Sequence, residues 1–539
     1  MILTNWNFAL DNPSLRQKFI LSGVNGKKVT VPHTWNVSPE TETYSGVAWY
    51  STALKIDEIK DINILHFESV FHDAEVFLNG NSICRHSMSG YTPFEVDITK
   101  SLKIGDNLIT VKCDNSFSAD LLPHKKDYDW SNDGGIIREV SFLQKDFSAV
   151  KSCKITSDIT DYLQNGNGNA AVTTQIEFYK AMPQEVDIQI SDKDSEIVFK
   201  KSIEAQNDKI ELKAELKNAK LWNTENPEMY TLSVNGEQYK FGIREIKVKG
   251  EKILLNGKEI RLIGVEWMPG SHPDFGMAEP QEVSYKFLQY LKDINCNFTR
   301  FHWQQADFVY DWCDEHGLMV QEEIPYWGSP KASADEQVQI AKQQADEMFA
   351  AHKNHPSIVC WGVGNELNGR SFKTIKYVKE LVSYFKSLDK TRLVNYVSNT
   401  MGKHGLIWRD ATAYGDICMW NEYMGTWYGK CDYEKEMKFA CSQAHGKPFM
   451  VTEFGLCEPH FDGGDERRTQ IYKEKTALYN KFNLNGWVYF SLNDYRTHCG
   501  ESGEGRLRSR IHGSTDLYGE IKPLSFGFIK EQNKIDLHL

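Results

Sequence analysis

The chain has 539 residues, which is too long for a single hydrophobic core, so two to four domains are expected. Hydrophobic residues make up 40% and charged residues 25%, as is typical of globular proteins, and no apolar run is long enough to span a membrane. The formal net charge of -12 argues against a nucleic-acid partner, because phosphate binding needs clustered lysine and arginine.

The 11 cysteines are scattered, with neither a CxxC pair nor a His/Cys metal spacing. Free thiols are therefore predicted, and no metal or other cofactor. Residues 1–6 lack a basic region followed by an apolar stretch, so no signal peptide is predicted. This pattern fits a cytoplasmic protein, or a periplasmic one whose leader has been removed.

Residues 1 to about 145 are dominated by short alternating runs separated by turns. The runs are 49–56, 62–67, 74–78, 108–113 and 139–143. Strands at this spacing, with no long helical period, indicate an antiparallel β-sandwich. A loop at 127–138 interrupts the pattern with aspartates, aromatic residues and a double glycine. On composition alone it is equally well an ordinary exposed loop.

Residues 146 to 243 contain further alternating runs, at 172–178, 186–190, 210–214 and 230–234. Turn sequences such as Asn235-Gly236 separate them. About a hundred residues of this kind predict an immunoglobulin-like β-sandwich. Nothing in this part has the character of a reactive site, so we interpret it as a spacer and packing module.

From residue 244 to 539, strands alternate with amphipathic helices. Predicted strands lie near 261–265, 297–302, 319–324, 358–364, 393–397, 417–423, 448–453 and 486–490. Predicted helices lie near 280–292, 306–316, 334–351, 372–388, 433–445, 467–482 and after Pro523. Eight such strands over roughly 290 residues indicate a (β/α)8 TIM barrel. A helix between the fifth and sixth strands is not apparent in the sequence.

Two of the predicted barrel strands end in a glutamate. The run 358–364 is followed by Asn365 and Glu366, and the run 448–452 is followed by Glu453. A single glutamate at the end of a strand is usually just solvated. The carboxyl ends of barrel strands, however, are where catalytic side chains are displayed, so the two glutamates together predict a carboxylate pair.

Short motifs along almost the whole chain resemble glycoside hydrolase family 2, the family of β-galactosidases and β-glucuronidases. They lie at 31–35 (VPHTW), 74–80 (AEVFLNG), 90–95 (GYTPFE), 241–244 (FGIR), 255–258 (LNGK), 313–318 (CDEHGL), 354–358 (NHPSI) and 364–366 (GNE). The resemblance implies a jelly-roll sugar-binding domain at 1–145, an immunoglobulin-like domain at 146–243 and a catalytic TIM barrel at 244–539. It also implies hydrolysis of β-glycosides with retention of configuration.

The resemblance assigns the two catalytic roles. Glu366 matches the general acid/base, which protonates the leaving oxygen and later activates water. Glu453 matches the nucleophile, which forms a glycosyl ester. Such a pair needs its carboxyl groups about 5–5.5 Å apart. We expect the negative Glu453 to raise the pKa of Glu366 and keep it protonated.

The resemblance also implies a set of substrate-binding residues. Asn365 matches the residue that hydrogen-bonds the sugar 2-hydroxyl, and Tyr423 matches a tyrosine that contacts the nucleophile. Asp129 matches an aspartate that the first domain inserts into the mouth of the barrel. The resemblance further matches Asn421, His302, Glu323 (rather than its neighbour Glu322), Trp427 with Tyr428, and Phe490. The alternatives are a histidine satisfied by local hydrogen bonds at His302 and rim packing at Trp427.

Several positions depart from the well-known subfamilies. The Asn-x-Lys motif by which β-glucuronidases bind a carboxylate is expected near 513–516, where the sequence is Gly-Ser-Thr-Asp. The glutamate and histidine that bind metal in large bacterial β-galactosidases have no counterparts after 324–327, so magnesium dependence is not implied. Tyr489 and Phe490 stand where family members often have tryptophan, and the loop 266–274 is expected to shape the pocket.

Three functions remain open from the sequence. The first is an exo-acting retaining β-galactosidase or a close relative. The second is an enzyme for an acidic sugar, in which Arg496 or the arginines after Gly505 replace the missing motif. The third is a carbohydrate-binding protein with an inactive barrel, against which the two intact glutamates argue. The charged loop 497–510 fits the second function, but a solvated loop is slightly favoured. The expected partner is an oligosaccharide or other glycoside, and a homo-oligomer is compatible with the sequence.

Overall fold

A computed structural model of the chain describes residues 1–328, 335–402, 410–500 and 502–537. Two β-sandwiches precede a closed barrel of eight parallel strands, so the predicted fold class is confirmed. In this described part, none of the helices combines the length and the apolar composition that a membrane crossing requires.

The first sandwich consists of a six-stranded and a three-stranded antiparallel sheet. Its elements are β1 (Asn5–Leu10), α1 (Arg16–Ser22), β2 (Lys27–Thr30), β3 (Val47–Ile56), β4 (Ile62–Phe67), β5 (Asp73–Leu78), β6 (Asn81–His86), β7 (Phe94–Asp97), β8 (Gly105–Asp114) and β9 (Val140–Lys145). The sheet orders are β2-β1-β3-β8-β5-β6 and β7-β4-β9. Alternate side chains such as Tyr50, Leu65 and Val111 point between the sheets and form the core.

The second sandwich has seven strands and a separate core that includes Val172, Ile188 and Leu232. Its strands are β10 (Val150–Tyr162), β11 (Gly168–Phe178), β12 (Gln184–Ser191), β13 (Ile197–Ala205), β14 (Lys209–Ala219), β15 (Met229–Val234) and β16 (Glu237–Gly242). They form sheets in the orders β10-β11-β14 and β13-β12-β15-β16. Seven antiparallel strands in two sheets of three and four are typical of an immunoglobulin-like domain.

A small sheet of β17 (Ile246–Lys249), β18 (Lys252–Leu255) and β19 (Lys258–Glu259) leads into the barrel. The barrel strands are β20 (Leu262–Glu266), β21 (Phe298–Phe301), β22 (Met319–Glu323), β23 (Ile358–Asn365), β24 (Leu393–Ser398), β25 (Cys418–Asn421), β26 (Phe449–Glu453) and β27 (Gly486–Phe490). They pair in sequence order and close between β27 and β20.

The helices surround the barrel. They are α2 (Gln281–Asp293), α3 (Asp307–His316), α4 (Asp335–His352), α5 (Phe372–Leu388), α6 (Tyr433–Ser442), α7 (Gly464–Lys481) and α8 (Pro523–Asp536). A hairpin of β28 (Tyr495–Arg496) and β29 (Ser509–Arg510) follows β27. Between β24 and β25 the described residues contain a 3-10 helix, Ala411–Tyr414, where the sequence predicted no helix.

Buried arginines hold the domains in place around the barrel. Arg244, at the end of the second sandwich, donates to the carbonyl oxygens of Pro356, Thr391 and Ile358. Arg496, which follows the last barrel strand, binds both carboxylate oxygens of Asp133 in the first domain. The loop 127–138 is therefore fixed against the carboxyl ends of the barrel strands.

Candidate active site

The carboxyl ends of the barrel strands bring together most of the predicted site residues. Strand ends contribute Glu266, Glu323, Asn365, Asn421, Glu453 and Phe490, and the residues that directly follow strands contribute His302 and Glu366. In a parallel barrel all these ends face the same side, so residues far apart in sequence meet in one pocket.

Glu453 is held through both of its carboxylate oxygens. Oε1 accepts a hydrogen bond from Arg300 Nη1 at 2.7 Å, and Oε2 accepts one from the Tyr423 hydroxyl at 2.9 Å. The segment that carries Tyr423 is itself fixed, because the neighbouring Glu422 pairs with Lys475 Nζ at 2.9 Å beneath the site. These contacts orient the carboxyl group, as an attacking nucleophile requires.

Glu366 has a different environment. Its backbone adopts a left-handed conformation, with φ of 56°, directly after the strand ends. Its Oε1 accepts a hydrogen bond from Asn421 Nδ2 at 2.8 Å. Burial and, secondarily, the charge of Glu453 raise the pKa of Glu366 to about 7, although the Asn421 hydrogen bond opposes the shift. A carboxyl group with this pKa can donate a proton near neutral pH.

Asn365 and Asn421 connect the two glutamates. Asn365 Oδ1 accepts from Asn421 Nδ2 at 3.0 Å and from Arg300 Nη2 at 3.2 Å. This fixes the orientation of the Asn365 amide, whose Nδ2 is buried and has no hydrogen-bond partner among the described residues. The amide nitrogen is thus available to donate to an oxygen of a bound sugar.

Arg300 lies at the centre of a fully buried cluster of charges. Its Nε and Nη2 donate to Glu323 at 2.8 and 3.0 Å, and its Nη1 donates to Glu266 at 3.0 Å as well as to Glu453. Burial alone lowers the pKa of Arg300, but these carboxylates raise it well above its ordinary value. Conversely, burial opposes the charge of Glu323, and yet Arg300 and His302 lower the pKa of Glu323 to about 2.

His302 faces the same carboxylates. Its Nε2 lies 3.3 Å from Glu266 Oε1 and 3.7 Å from Glu453 Oε1. Burial disfavours the imidazolium ion, but the carboxylates, Glu266 foremost, raise the pKa of His302 to about 9. The ring also stacks on Trp130 of the first domain, with centroids 5.6 Å apart and planes 9° from parallel.

The first domain supplies one wall of the pocket through its loop 127–138. Asp129 Oδ2 accepts a hydrogen bond from the Tyr495 hydroxyl at 2.8 Å and lies 3.3 Å from Arg510 Nε. Its charge contributes to the raised pKa of Glu366, so Asp129 lies near that carboxyl group. Glu266, His302 and Glu453 lie close enough to surround a cation, but the guanidinium of Arg300 already supplies that charge.

The two predicted aromatic residues lie at different depths. Phe490 is 4% exposed, and its ring packs against those of His302 and Tyr495, with centroids 6.2 and 5.7 Å away. Trp427 is 36% exposed, and its nearest ring partners are His460 and Phe461. Trp427 is therefore partly open to solvent, and its role in substrate binding stays a prediction.

The arginines of the segment 496–510 have distinct positions. Arg496 is buried against Asp133, and Arg506 donates to the carbonyl oxygen of Val37 at 3.1 Å. Arg508 donates to the carbonyl oxygen of Gly500 at 2.8 Å. Of these arginines, Arg510 is the one beside Asp129 and hence next to the pocket. The residue Glu501, which the sequence placed in the same charged loop, lies outside the described residues.

Three residues of the site were not predicted from the sequence: Arg300, Trp130 and Tyr495. Glu266 was predicted only to begin a loop that shapes the pocket. For Glu266 a signal existed, because it ends an apolar strand in the same way as Glu453. Arg300 occupies a strand whose four residues are all buried, and a buried arginine needs acceptors, such as carboxylates, for its hydrogen bonds. The assembled site thus has an oriented carboxyl group, a second carboxyl group with a raised pKa and donors for sugar oxygens.

Comparison with known families accounts for nearly the whole chain. Residues 5–146 match the sugar binding domain of glycosyl hydrolases family 2, and residues 148–244 match a further model described as glycosyl hydrolases family 2. Residues 246–503 match the TIM barrel domain of the same family.

The relatives of this chain are named for different activities. A β-galactosidase from Thermoanaerobacterium thermosulfurigenes is 29% identical over 96% of this chain and 73% of its own length. A β-glucuronidase from Bacteroides fragilis is 29% identical over 80% of this chain and 64% of its own length. The solved structure of a GH2 β-galacturonidase from Eisenbergiella tayi bound to galacturonate matches with a TM-score of 0.82 at 25% identity, covering 99% of this chain and 97% of that one.

Proposed function

The chain belongs to glycoside hydrolase family 2 and is a β-glycosidase, and from this premise we propose that it removes terminal β-galactosyl residues by double displacement. The observation that carries the mechanism is the contrast between the two glutamates. Glu453 is oriented by Arg300 and Tyr423, whereas the pKa of Glu366 is raised to about 7 by burial and by Glu453. One carboxyl group is suited to attack and the other to proton donation.

In the first step, Glu453 forms a bond to the anomeric carbon while the bond from that carbon to the leaving oxygen breaks. Glu366 gives its proton to the departing oxygen, so a neutral alcohol is released. In the second step, Glu366 takes a proton from water, the water oxygen bonds to the anomeric carbon, and Glu453 leaves as a carboxylate. Asn365 donates to a sugar oxygen through its Nδ2, which has no hydrogen-bond partner in the described part of the chain.

A neutral sugar fits the balance of charge around the pocket. Among the described residues, Arg300 and His302 already have the carboxyl groups of Glu266, Glu323 and Glu453 as partners, and Arg510 lies beside Asp129. A sugar carboxylate would add a further negative charge to a site already rich in carboxyl groups and would lose its hydration there.

A β-linked uronic acid is the second candidate, because of one specific contact. Arg510 Nε lies 3.3 Å from Asp129 Oδ2 at the edge of the pocket. A sugar carboxylate that displaced Asp129 as the partner of Arg510 would form a charge-assisted pair without the Asn-x-Lys motif. The β-glucuronidase and β-galacturonidase relatives favour testing this candidate directly.

A panel of 4-nitrophenyl β-D-glycosides separates the candidates. We expect the galactoside to have the highest kcat/KM, with the glucuronide and galacturonide lower by at least about 100-fold. A uronide as the best substrate would overturn the galactosidase proposal, and Arg510→Gln should then abolish its preference. Proton NMR of the first-formed product should show the β-anomer, whereas initial release of the α-anomer would exclude double displacement.

A further inference from the structure

Glu266, at the carboxyl end of β20, has no part in the mechanism above. Its side chain is fully buried, and its Oε1 lies 3.3 Å from His302 Nε2 but accepts no hydrogen bond from the described residues. Burying a carboxyl group costs free energy unless neighbouring groups compensate for the lost hydration. The identity of its neighbours therefore indicates what Glu266 does.

Glu266 and the nucleophile Glu453 have the same two cationic neighbours. Arg300 Nη1 donates to Glu266 Oε2 at 3.0 Å and to Glu453 Oε1 at 2.7 Å, so its two hydrogens are divided between them. His302 Nε2 lies 3.3 Å from Glu266 Oε1 and 3.7 Å from Glu453 Oε1. The two carboxyl groups thus compete for one guanidinium nitrogen and one imidazole nitrogen.

The third carboxylate of the cluster has a different relationship to Arg300. Glu323 accepts from Nε and Nη2, at 2.8 and 3.0 Å, and these nitrogens do not bind Glu453. Glu323 therefore fixes the plane of the guanidinium group. Among the described carboxylates around Arg300, Glu266 is the one that shares a nitrogen with the nucleophile.

We propose that Glu266 is a positioning residue that competes with Glu453 for Arg300 and His302 and so keeps the nucleophile reactive. The inference rests on the proposed double displacement. When Glu453 attacks, its charge is lost in the new ester bond, so donors that stabilise the charged carboxylate slow this step. A competing carboxylate weakens that stabilisation. In the second step the charge returns to Glu453, and Glu266 then opposes its departure.

The competition depends on the charge of Glu266 itself. Burial raises the pKa of Glu266 to about 8; Arg300 and His302 oppose the shift, and Glu453 and Glu323 add to it. The group is therefore neutral well below this pH and becomes a carboxylate above it. Because a charged group competes more strongly for cationic donors than a neutral one, the effect of Glu266 on Glu453 should grow as the pH rises.

The test compares the wild-type protein with Glu266→Gln, using 2,4-dinitrophenyl 2-deoxy-2-fluoro-β-D-galactoside, or the corresponding uronide if the panel selects it. The rate of inactivation measures ester formation, and the rate of reactivation after removal of the reagent measures ester hydrolysis. At about pH 8.5 we expect the substitution to slow inactivation about tenfold and to speed reactivation by a similar factor. At about pH 6 both differences should fall below about twofold.

Glu279→Gln is the matched control. Glu279 lies in the loop after β20, burial raises its pKa to about 7, and its Oε1 also has no hydrogen-bond partner among the described residues. Its Oε2 accepts from the backbone of Gly270 rather than from Arg300. Both rates of this variant should equal those of the wild type, because the substitution leaves the donors of Glu453 unchanged.

Rates that fall together in Glu266→Gln, or rates that do not change at about pH 8.5, would overturn the role of Glu266. Opposite changes are not produced by a general loss of structure. If Glu266→Gln does not fold, Glu266→Asp draws the carboxylate back from Arg300 and should shift both rates in the same two directions by a smaller factor. A wild-type protein that the fluorinated glycoside does not inactivate would overturn double displacement, and this inference with it.

Discussion

Asp129 in the first domain accepts a 2.8 Å hydrogen bond from Tyr495, which follows the last barrel strand 366 residues later in the chain. Arg510 approaches the same carboxylate oxygen from β29 at 3.3 Å. The position of Asp129 beside Glu366 is therefore determined by the barrel as well as by its own loop. The first domain thus contributes one wall of the pocket, and Tyr495 and Arg510 of the barrel domain hold that wall in position.

Removing the Asp129 carboxylate should impair substrate recognition more than folding. We expect Asp129→Ala to lower kcat/KM by roughly tenfold to 150-fold, because a charge-assisted hydrogen bond to a sugar hydroxyl contributes about 1.5–3 kcal/mol. Tyr495→Phe keeps the ring and releases only the hydroxyl, so its loss should be smaller. Unchanged kcat/KM in Asp129→Ala, with a normal melting temperature, would reduce the first domain to a scaffold.

The nucleophile assignment predicts chemical rescue. Glu453→Ala should abolish turnover of 4-nitrophenyl glycosides, since no ester can form. Added azide fits the vacated space and attacks from the same face, so it should restore release of nitrophenol and give a glycosyl azide of inverted configuration. Mass spectrometry and NMR of the product provide the measurement. Ordinary hydrolytic activity in the variant would show that another residue attacks.

The acid assignment predicts a dependence on the leaving group. Glu366→Gln retains the hydrogen bond that Asn421 Nδ2 gives to Oε1, but it has no proton to donate. A dinitrophenolate departs without protonation, whereas a sugar alkoxide does not. The loss in kcat/KM should therefore be slight for dinitrophenyl glycosides and at least about 100-fold for a disaccharide. Equal losses on both substrates are incompatible with this role.

The raised pKa of Glu366 predicts the alkaline limb of the pH profile. Burial and the charge of Glu453 raise the pKa to about 7, and the protonated form is the active one. For an alkyl glycoside, kcat/KM should thus fall about tenfold per pH unit above about pH 7. The pKa of Glu366 in Glu453→Gln, measured by carbon-13 NMR of the labelled carboxyl group, provides the check, because without the negative charge of Glu453 this pKa should be lower than in the wild type.

The same shift predicts how Glu366 affects stability. Its pKa is raised from 4.5 in the unfolded chain to about 7 in the folded one. The folded state therefore binds this proton more tightly, and stability is lost as the pH rises from about 4.5 through 7. Since Glu366→Gln stays neutral, it should be more stable than the wild type at about pH 8, by about 1–3 kcal/mol, and similar to it at about pH 4.5. Thermal unfolding at the two pH values measures the difference.

The helices and strands could be predicted from the sequence because the spacing of hydrophobic residues differs between a helix and a strand. A continuous apolar run predicted β27 and a 3.6-residue period predicted α5, and both were predicted with the bounds that the structure has. The connection before β25 was not predicted as a helix, and its described part is the short 3-10 helix Ala411–Tyr414. Turns of this length have too few residues to display a period.

The cluster of charged side chains around Arg300 could not be predicted in this way. Arg300 meets Glu266, Glu323 and Glu453 across separations of 34, 23 and 153 residues. No local pattern encodes such contacts, because they arise only when the strands close into a barrel. Asp129 was predicted through the family resemblance. Its hydrogen bond with Tyr495 could not be predicted, because it forms only when the first domain packs against the barrel.

Through the loop 127–138, the residues proposed to react and part of the residues proposed to select the substrate come from different domains. Glu366 and Glu453 are carried by the barrel, yet one wall of the pocket is carried by a sandwich that contains neither of them. A substitution in that loop changes the wall of the pocket without changing the strands that carry the two glutamates. Substrate preference can therefore be altered from one domain while the two glutamates stay in another.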